Sequence, residues 1–232
     1  MPVVASVRRL YEAEIPRGGA GLVYLGYSGV LVRVGECALL FDPGDLLPRR
    51  ALRELRRLDL LLFTHGHYDH FDEGAAVAIY EAAKPKVVCE ESVYRRLRGR
   101  VPEEDLVRAK PGESVAVGGA SVEAVAGRHV GPIALYLVEV GGVRVFHGGD
   151  SGYVPLRPRR ADLAIVPTGD PSPTASPDDA LRMVLDLEPS AVVPVHGSER
   201  QRRELERKLG ELRPGVEVLV LGEGESAVVE LG

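Results

Sequence analysis

The 232-residue chain predicts an α+β fold in which two mixed β-sheets pack face to face and helices cover their outer faces. Three observations carry that expectation. Strand-like apolar runs dominate both halves of the chain. Helix-like stretches follow particular strands and do not alternate with them strictly. No low-complexity tract, long linker or internal repeat divides the sequence, so residues 1–232 read as a single domain.

The elements follow in order. Residues 3–11, 22–25, 30–34 and 38–41 are apolar runs separated by glycine-containing turns, and each reads as a strand. Residues 48–57 carry leucine at helical spacing with Arg and Glu between, which predicts a short amphipathic helix. Residues 58–63 form a continuous apolar run suited to a central strand. A helix over residues 72–83 has Asp72 as its N-cap, and Pro85 marks its end. A short buried strand at 87–89 and a helix at 91–98 come next. Strands return at 115–117, 122–125, 134–140 and 143–146, the last two joined by a tight Gly141-Gly142 turn. Residues 162–166 and 191–195 are further buried strands. The helix at 177–187 lies between them, with Pro177 at its first position after a capping Ser176. A helix at 199–212 and strands at 217–221 and 227–231 finish the chain.

Hydrophobic content of 45% and charged content of 27% are those of a globular protein with a sizeable core. The net charge of -5 argues against a nucleic-acid footprint, which needs clustered cation excess. Residues 1–16 alternate apolar with charged side chains and form neither a signal peptide nor an anchor, so a cytoplasmic location without membrane contact is expected. Cys37 and Cys89 sit in apolar runs and read as buried free thiols. The chain has no Asn, one Gln, 17 Pro, and 25 Arg against four Lys. Depletion of thermolabile residues with proline-rich loops predicts a heat-adapted protein, with high-GC codon bias as the competing source of the Arg and Pro excess; a mesophilic melting point would refute heat adaptation.

The chemistry concentrates in residues 64–72, Thr-His-Gly-His-Tyr-Asp-His-Phe-Asp, directly after an apolar run. Three of the six histidines fall here, interleaved with an aspartate. Imidazole nitrogens and carboxylate oxygens are the ligands that zinc and similar metals take. Alternate side chains share one face of a strand, so His65 and His67 can reach one metal while Asp69 and His70, in the following turn, serve a second. His129, Asp150, His196 and Asp42 each follow another strand-like run, where a rigid sheet offers positions for functional groups.

These segments resemble the metallo-β-lactamase superfamily. THGHYDH matches its HxHxDH signature. His129, the GGDSGY segment with Asp150 and the PVHG segment with His196 match the remaining ligand positions in order, and FDPG matches the aspartate-bearing first motif. The resemblance implies an αββα sandwich. It also implies two divalent metal ions, zinc foremost, with manganese or iron as alternatives. His65, His67 and His129 would hold one; Asp69, His70 and His196 the other; Asp150 would bridge them. Such a pair lowers the pKa of a shared water, whose hydroxide attacks a carbonyl or phosphoryl centre. Asp69 and Asp150 are the catalytic candidates, Asp69 steering the nucleophile or passing a proton.

Asp42 is expected to hold the ligand loop by hydrogen bonds, with an Asx-type turn as the competing account. His147 reads as a buried histidine or a supporting partner, not a ligand. YLGYSGVLVRV ahead of FDPG, and PTGDPSPTASPDDA before the last histidine, resemble the ascorbate-6-phosphate lactonase-like branch. PVHG continues into Ser198-Glu199-Arg200, where many relatives have His-Tyr-Gly-Thr.

The expected function is hydrolysis of a small-molecule ester, lactone or phosphodiester, in a monomer or homo-oligomer. An RNA-processing nuclease of the same superfamily would carry an RNA-gripping insert, which this sequence lacks. An iron redox protein or a non-catalytic metal-binding module is a further alternative. Loop residues Tyr27, Ser28, Tyr68, Arg128, Tyr153, Thr168, Ser172 and Thr174 are candidate substrate contacts, with Arg128 foremost for an anion.

Overall fold

The computed structural model describes residues 2–232, leaving Met1 outside the described residues. One seven-stranded sheet contains β1 (Gly19–Gly26), β2 (Gly29–Val34), β3 (Cys37–Phe41), β4 (Leu60–Phe63), β5 (Lys86–Cys89) and β6 (Leu106–Arg108). The C-terminal strand Ser226–Glu230, labelled β14, precedes them in the order β14-β1-β2-β3-β4-β5-β6. The other holds β7 (Ser114–Val117), β8 (Ala120–Ala126), β9 (Ala134–Val140), β10 (Val143–His147), β11 (Leu163–Pro167), β12 (Ala191–Val195) and β13 (Glu217–Val218), in the order β13-β12-β11-β10-β9-β8-β7.

Period-two alternation sorts the strand residues into layers. Leu39 and Phe41 of β3 pack between the sheets with Tyr136, Val145 and Ile165 of the opposite sheet. Ala38 and Leu40 face outward, against α1 (Pro2–Glu12), α2 (Arg49–Leu52), α3 (Glu73–Ala83) and α4 (Glu91–Leu97). Ala164, Val166 and Val192 pack outward with Met183, Leu187, Leu205 and Leu209 of α5 (Pro177–Leu187) and α6 (Glu199–Leu212). The predicted αββα layering is therefore present.

Local chemistry explains the helix ends. The Asp72 carboxylate accepts from the Ala75 amide, Ser176 accepts from the Asp179 amide ahead of Pro177, and Ser198 forms a reciprocal capping box with Gln201. Gly141 and Gly142, at φ 59° and 80°, make the β9–β10 hairpin as a turn with both central residues left-handed.

Three sequence expectations need correction. Residues 3–11 belong to helix α1, not a strand: Val3, Val7 and Leu10 are buried at helical spacing, which outweighs the β-branched composition. In 48–57 only Arg49–Leu52 is helical. The Asp59 amide donates to the Ala38 carbonyl and its carboxylate accepts from the Ala38 amide, so the chain is drawn out beside β3 before another turn can form. The strand expected at 217–221 is ladder-paired only over Glu217–Val218. Both cysteines are free thiols, Cys89 buried and Cys37 partly exposed.

Strand direction positions the site. β3 and β4 are parallel, as are β10, β11 and β12, while two antiparallel steps return β1 to the sense of β3 and β8 to that of β10. The C-terminal ends of these strands thus lie at common edges. Two backbone hydrogen bonds join the sheets there, Ala134 N–H to the Thr64 carbonyl and His196 N–H to the Tyr27 carbonyl.

Candidate metal centre

All seven side chains singled out as ligands converge at that joined edge, in two overlapping groups. In the first, His67 Nδ1 lies 3.1 Å from His65 Nε2 and 3.2 Å from His129 Nε2. In the second, Asp150 Oδ1 lies 2.9 Å from His70 Nε2 and 3.1 Å from His196 Nε2, and Asp69 Oδ2 lies 3.0 Å from His196 Nε2. The other Asp150 oxygen, Oδ2, is 4.0 Å from His65 Nε2, so this carboxylate faces both groups. A tetrahedral metal with bonds of about 2.1 Å spaces its donor atoms by roughly 3.4 Å, close to these separations.

The hydrogen bonds on the far side of each ring decide what the near side presents. Thr64 Oγ1 donates to Asp42 Oδ2 at 2.5 Å, which leaves its oxygen to accept from His65 Nδ1 at 3.1 Å. His70 Nδ1 donates to Asp42 Oδ2 at 2.9 Å, and His196 Nδ1 to the Gly169 carbonyl at 3.1 Å. Thr174 Oγ1 donates to the Asp150 carbonyl at 2.8 Å and so accepts from His129 Nδ1 at 3.0 Å. Four rings are therefore fixed with Nδ1 as the outward donor and Nε2 aimed inward. Lone pairs facing carboxylate oxygens repel unless a cation or a proton lies among them. His70 Nε2 illustrates the conflict: fully buried and close to Asp150, it makes no hydrogen bond. The donor set fits divalent metal ions.

Electrostatics agree. Burial, then the neighbouring imidazoles, push the His65 pKa far down, keeping that ring unprotonated. Burial also lowers His129. At His70 burial is outweighed by the charges of Asp42 and Asp150, and its pKa is pushed up to about 10, so the bare site holds a proton where a metal would compete. Burial would raise Asp69, but the hydrogen bond to His196 and the charge of His70 outweigh it and hold the carboxyl below its usual range.

Supporting residues complete the geometry. Asp42 accepts from the Thr64 amide at 2.7 Å as well as from the Thr64 hydroxyl and His70, and so anchors the ligand loop as expected. His147 stands outside the converging donors: Nε2 donates to the Ser28 carbonyl at 2.9 Å, Nδ1 accepts from the Gly149 amide at 3.2 Å, and the ring stacks on Phe41. Burial lowers its pKa. Gly149 is left-handed at φ 52°, and a Cβ there would come within 2.8 Å of Thr64 Oγ1. Of the five non-glycine residues at positive φ among the described residues, Lys84 and Glu188 end helices, while Tyr27, Asp42 and His196 lie at the site.

Most expected substrate contacts are occupied by the protein itself. Arg128 packs over Gly152 and pairs with Asp179 at 3.2 Å. Tyr153 binds Asp186, Ser172 and Thr174 hold the Asp150 carbonyl, and the Thr168 hydroxyl donates to backbone carbonyls of Val195 and His196. Only Tyr27 and Tyr68 line the adjoining cleft. The orienting roles of Thr64 and the Gly169 carbonyl carried no signal in the sequence.

Residues 39–197 match the β-lactamase superfamily domain. A UPF0173 metal-dependent hydrolase of Pelotomaculum thermopropionicum is 29% identical over 227 residues, covering 88% of this chain and 98% of that protein. One from Thermus thermophilus is 31% identical over 192 residues, 75% of this chain and 81% of that protein. The structure of Igni18, a metallo hydrolase of the archaeon Ignicoccus hospitalis, superposes with a TM-score of 0.74 at 21% identity, over 92% of this chain and 100% of that one. The matched span opens within β3, ahead of Asp42, and closes just past His196, so it encloses every converging side chain. On that match and this fold the chain belongs to the metallo-β-lactamase superfamily, among the UPF0173 metal-dependent hydrolases.

Proposed function

We propose that the chain hydrolyses a small ester, lactone or phosphodiester with two divalent metal ions, zinc foremost. His65, His67 and His129 would hold one ion and Asp69, His70 and His196 the other, with Asp150 between them. One observation carries this reading: four rings held through Nδ1 turn Nε2 inward, those of His70 and His196 onto carboxylate oxygens and those of His65 and His129 onto His67, and Asp150 faces both groups. Bound there, a pair of divalent cations supplies activation of water near neutral pH and charge for a developing oxyanion.

The protein's own groups do the rest. Asp42, Thr64, Thr174 and the Gly169 carbonyl hold the ligand rings so that little reorganisation accompanies reaction. Asp69, held ionised, takes the proton of the attacking water and returns it to the departing oxygen. The water oxygen bonds to the carbonyl carbon or phosphorus as the ester bond breaks, so the proton balance closes within the site. The ordinary surface charge supports a small substrate over RNA, as does the pairing of Arg128 with Asp179.

Elemental analysis of the purified protein should find two divalent ions per chain. Asp150→Ala should lose at least one of them and also lose hydrolysis of bis-p-nitrophenyl phosphate. Unchanged hydrolysis by that variant would overturn the assigned bridge.

A further inference from the structure

Gln201 is the one glutamine of a chain without asparagine, so it carries the single side-chain amide among 232 residues. It stands in the first turn of α6, where it shares the capping box with Ser198. Glutamate serves such a box as well as glutamine does. A chain with 34 acidic side chains thus keeps an amide where a carboxylate would cap the helix equally well. What the amide adds is a hydrogen-bond donor.

That donor has a partner. Ser198 N–H donates to Gln201 Oε1 at 2.8 Å, which identifies the amide oxygen and turns Nε2 the other way. Nε2 donates to Asp170 Oδ2 at 3.2 Å, and among the described residues that carboxylate takes no other hydrogen bond. The amide also lies against Gly169, whose φ of 149° suits glycine and where a Cβ would collide with Gln201 Nε2. Gln201 therefore pins two consecutive residues of the 169–172 turn to α6, a helix itself anchored in the core through Leu205 and Leu209.

The pinned turn reaches two of the converging side chains. The Gly169 carbonyl accepts from His196 Nδ1 at 3.1 Å and from the Ser172 amide at 3.1 Å, and Gly169 N–H donates to the His196 carbonyl at 2.8 Å. Ser172 Oγ donates to the Asp150 carbonyl at 2.8 Å. A shift of this turn would release the outer nitrogen of His196 and loosen the backbone that carries Asp150.

We propose that Gln201 is a positioning residue for the metal centre: its amide clamps the 169–172 turn onto α6, so that the Gly169 carbonyl stays on His196 Nδ1 and Nε2 stays turned toward Asp69 and Asp150. The consequence for metal retention rests on the two-ion reading above, whereas the ring geometry belongs to the metal-free protein.

The test uses the full-length protein. Gln201→Glu keeps the acceptor for Ser198 but loses the donor to Asp170 and sets two carboxylates against each other. In the metal-free, nitrogen-15-histidine-labelled variant, NMR should show the His196 Nδ1 proton exchanging with solvent about tenfold faster than in the wild type. The melting temperature should stay within about 2 °C, because the cap remains. After zinc loading, competition with a chelator should find one ion held about tenfold more weakly and the other unchanged. The double variant Gln201→Glu/Asp170→Asn exchanges donor and acceptor and should restore both the exchange rate and the affinity. Unchanged exchange in Gln201→Glu, or a loss that the double variant does not restore, overturns the proposal. Equal weakening of both ions with a lowered melting temperature also overturns it, leaving Gln201 a helix cap alone. Fewer than two ions in the wild type overturns the two-ion reading instead, and the exchange rates of the metal-free proteins still decide the role of Gln201.

Discussion

The two groups of converging side chains are built differently. In the group of His65, His67 and His129 only His65 is buried; His67 is exposed and His129 half-buried. In the group of Asp69, His70, Asp150 and His196 every residue is buried. The closed group is also tied into the fold: His70 binds the buried Asp42, and His196 is fixed at both its backbone amide and its ring. His67 has neither kind of tether among the described residues; its ring contacts only the other imidazoles of the open group. The closed group is thus part of the core, and the open group runs from the buried His65 out to the exposed His67. Disturbing the closed half should cost folding, whereas disturbing the open half should cost only a ligand.

The strongest test of that contrast is Asp42→Ala. It removes the acceptor from the Thr64 amide, the Thr64 hydroxyl and His70 at once, all in a dry environment. Denaturant unfolding of the metal-free protein should show a loss of about 3 kcal/mol. A loss under ~1 kcal/mol would mean the closed half is not anchored through Asp42. His67→Ala should behave oppositely, changing metal-free stability by less than about 0.5 kcal/mol because the side chain is exposed. Elemental analysis should nevertheless find its metal content reduced from two ions to one; retention of both would erase the distinction between the halves. The smallest effect on the centre is expected for His147→Gln. His147 holds the Gly149 amide and the Ser28 carbonyl from behind, so two ions should remain bound, and loss of one would make it a ligand.

The same contrast explains what was legible in the sequence. His65, His67, Asp69 and His70 announced themselves because four ligand types crowd one turn, and His129, Asp150 and His196 because each follows an apolar run. The tethers were mostly silent. A carbonyl such as that of Gly169 has no sequence signature, and Thr174, expected as a substrate contact, orients His129 instead. Central strands were legible because they are continuous apolar runs, and α3 and α5 because their caps are explicit. Helix α1 was misread because valine favours strands locally, while burial of Val3, Val7 and Leu10 on one face depends on a sheet assembled from distant residues. The helix expected at 48–57 was cut short by the hydrogen bonds of Asp59, through its amide and its carboxylate, to the Ala38 backbone, which no local pattern encodes.

The five non-glycine residues in left-handed conformation among the described residues have one more consequence. Asparagine is the side chain that most readily takes that conformation, yet this chain contains none and places Tyr, Asp, Lys, Glu and His there instead. Asparagine is also the residue whose amide is lost most easily with time and heat. The protein therefore accepts conformational strain at these turns while having no asparagine to deamidate, and its net charge will drift little as the molecule ages.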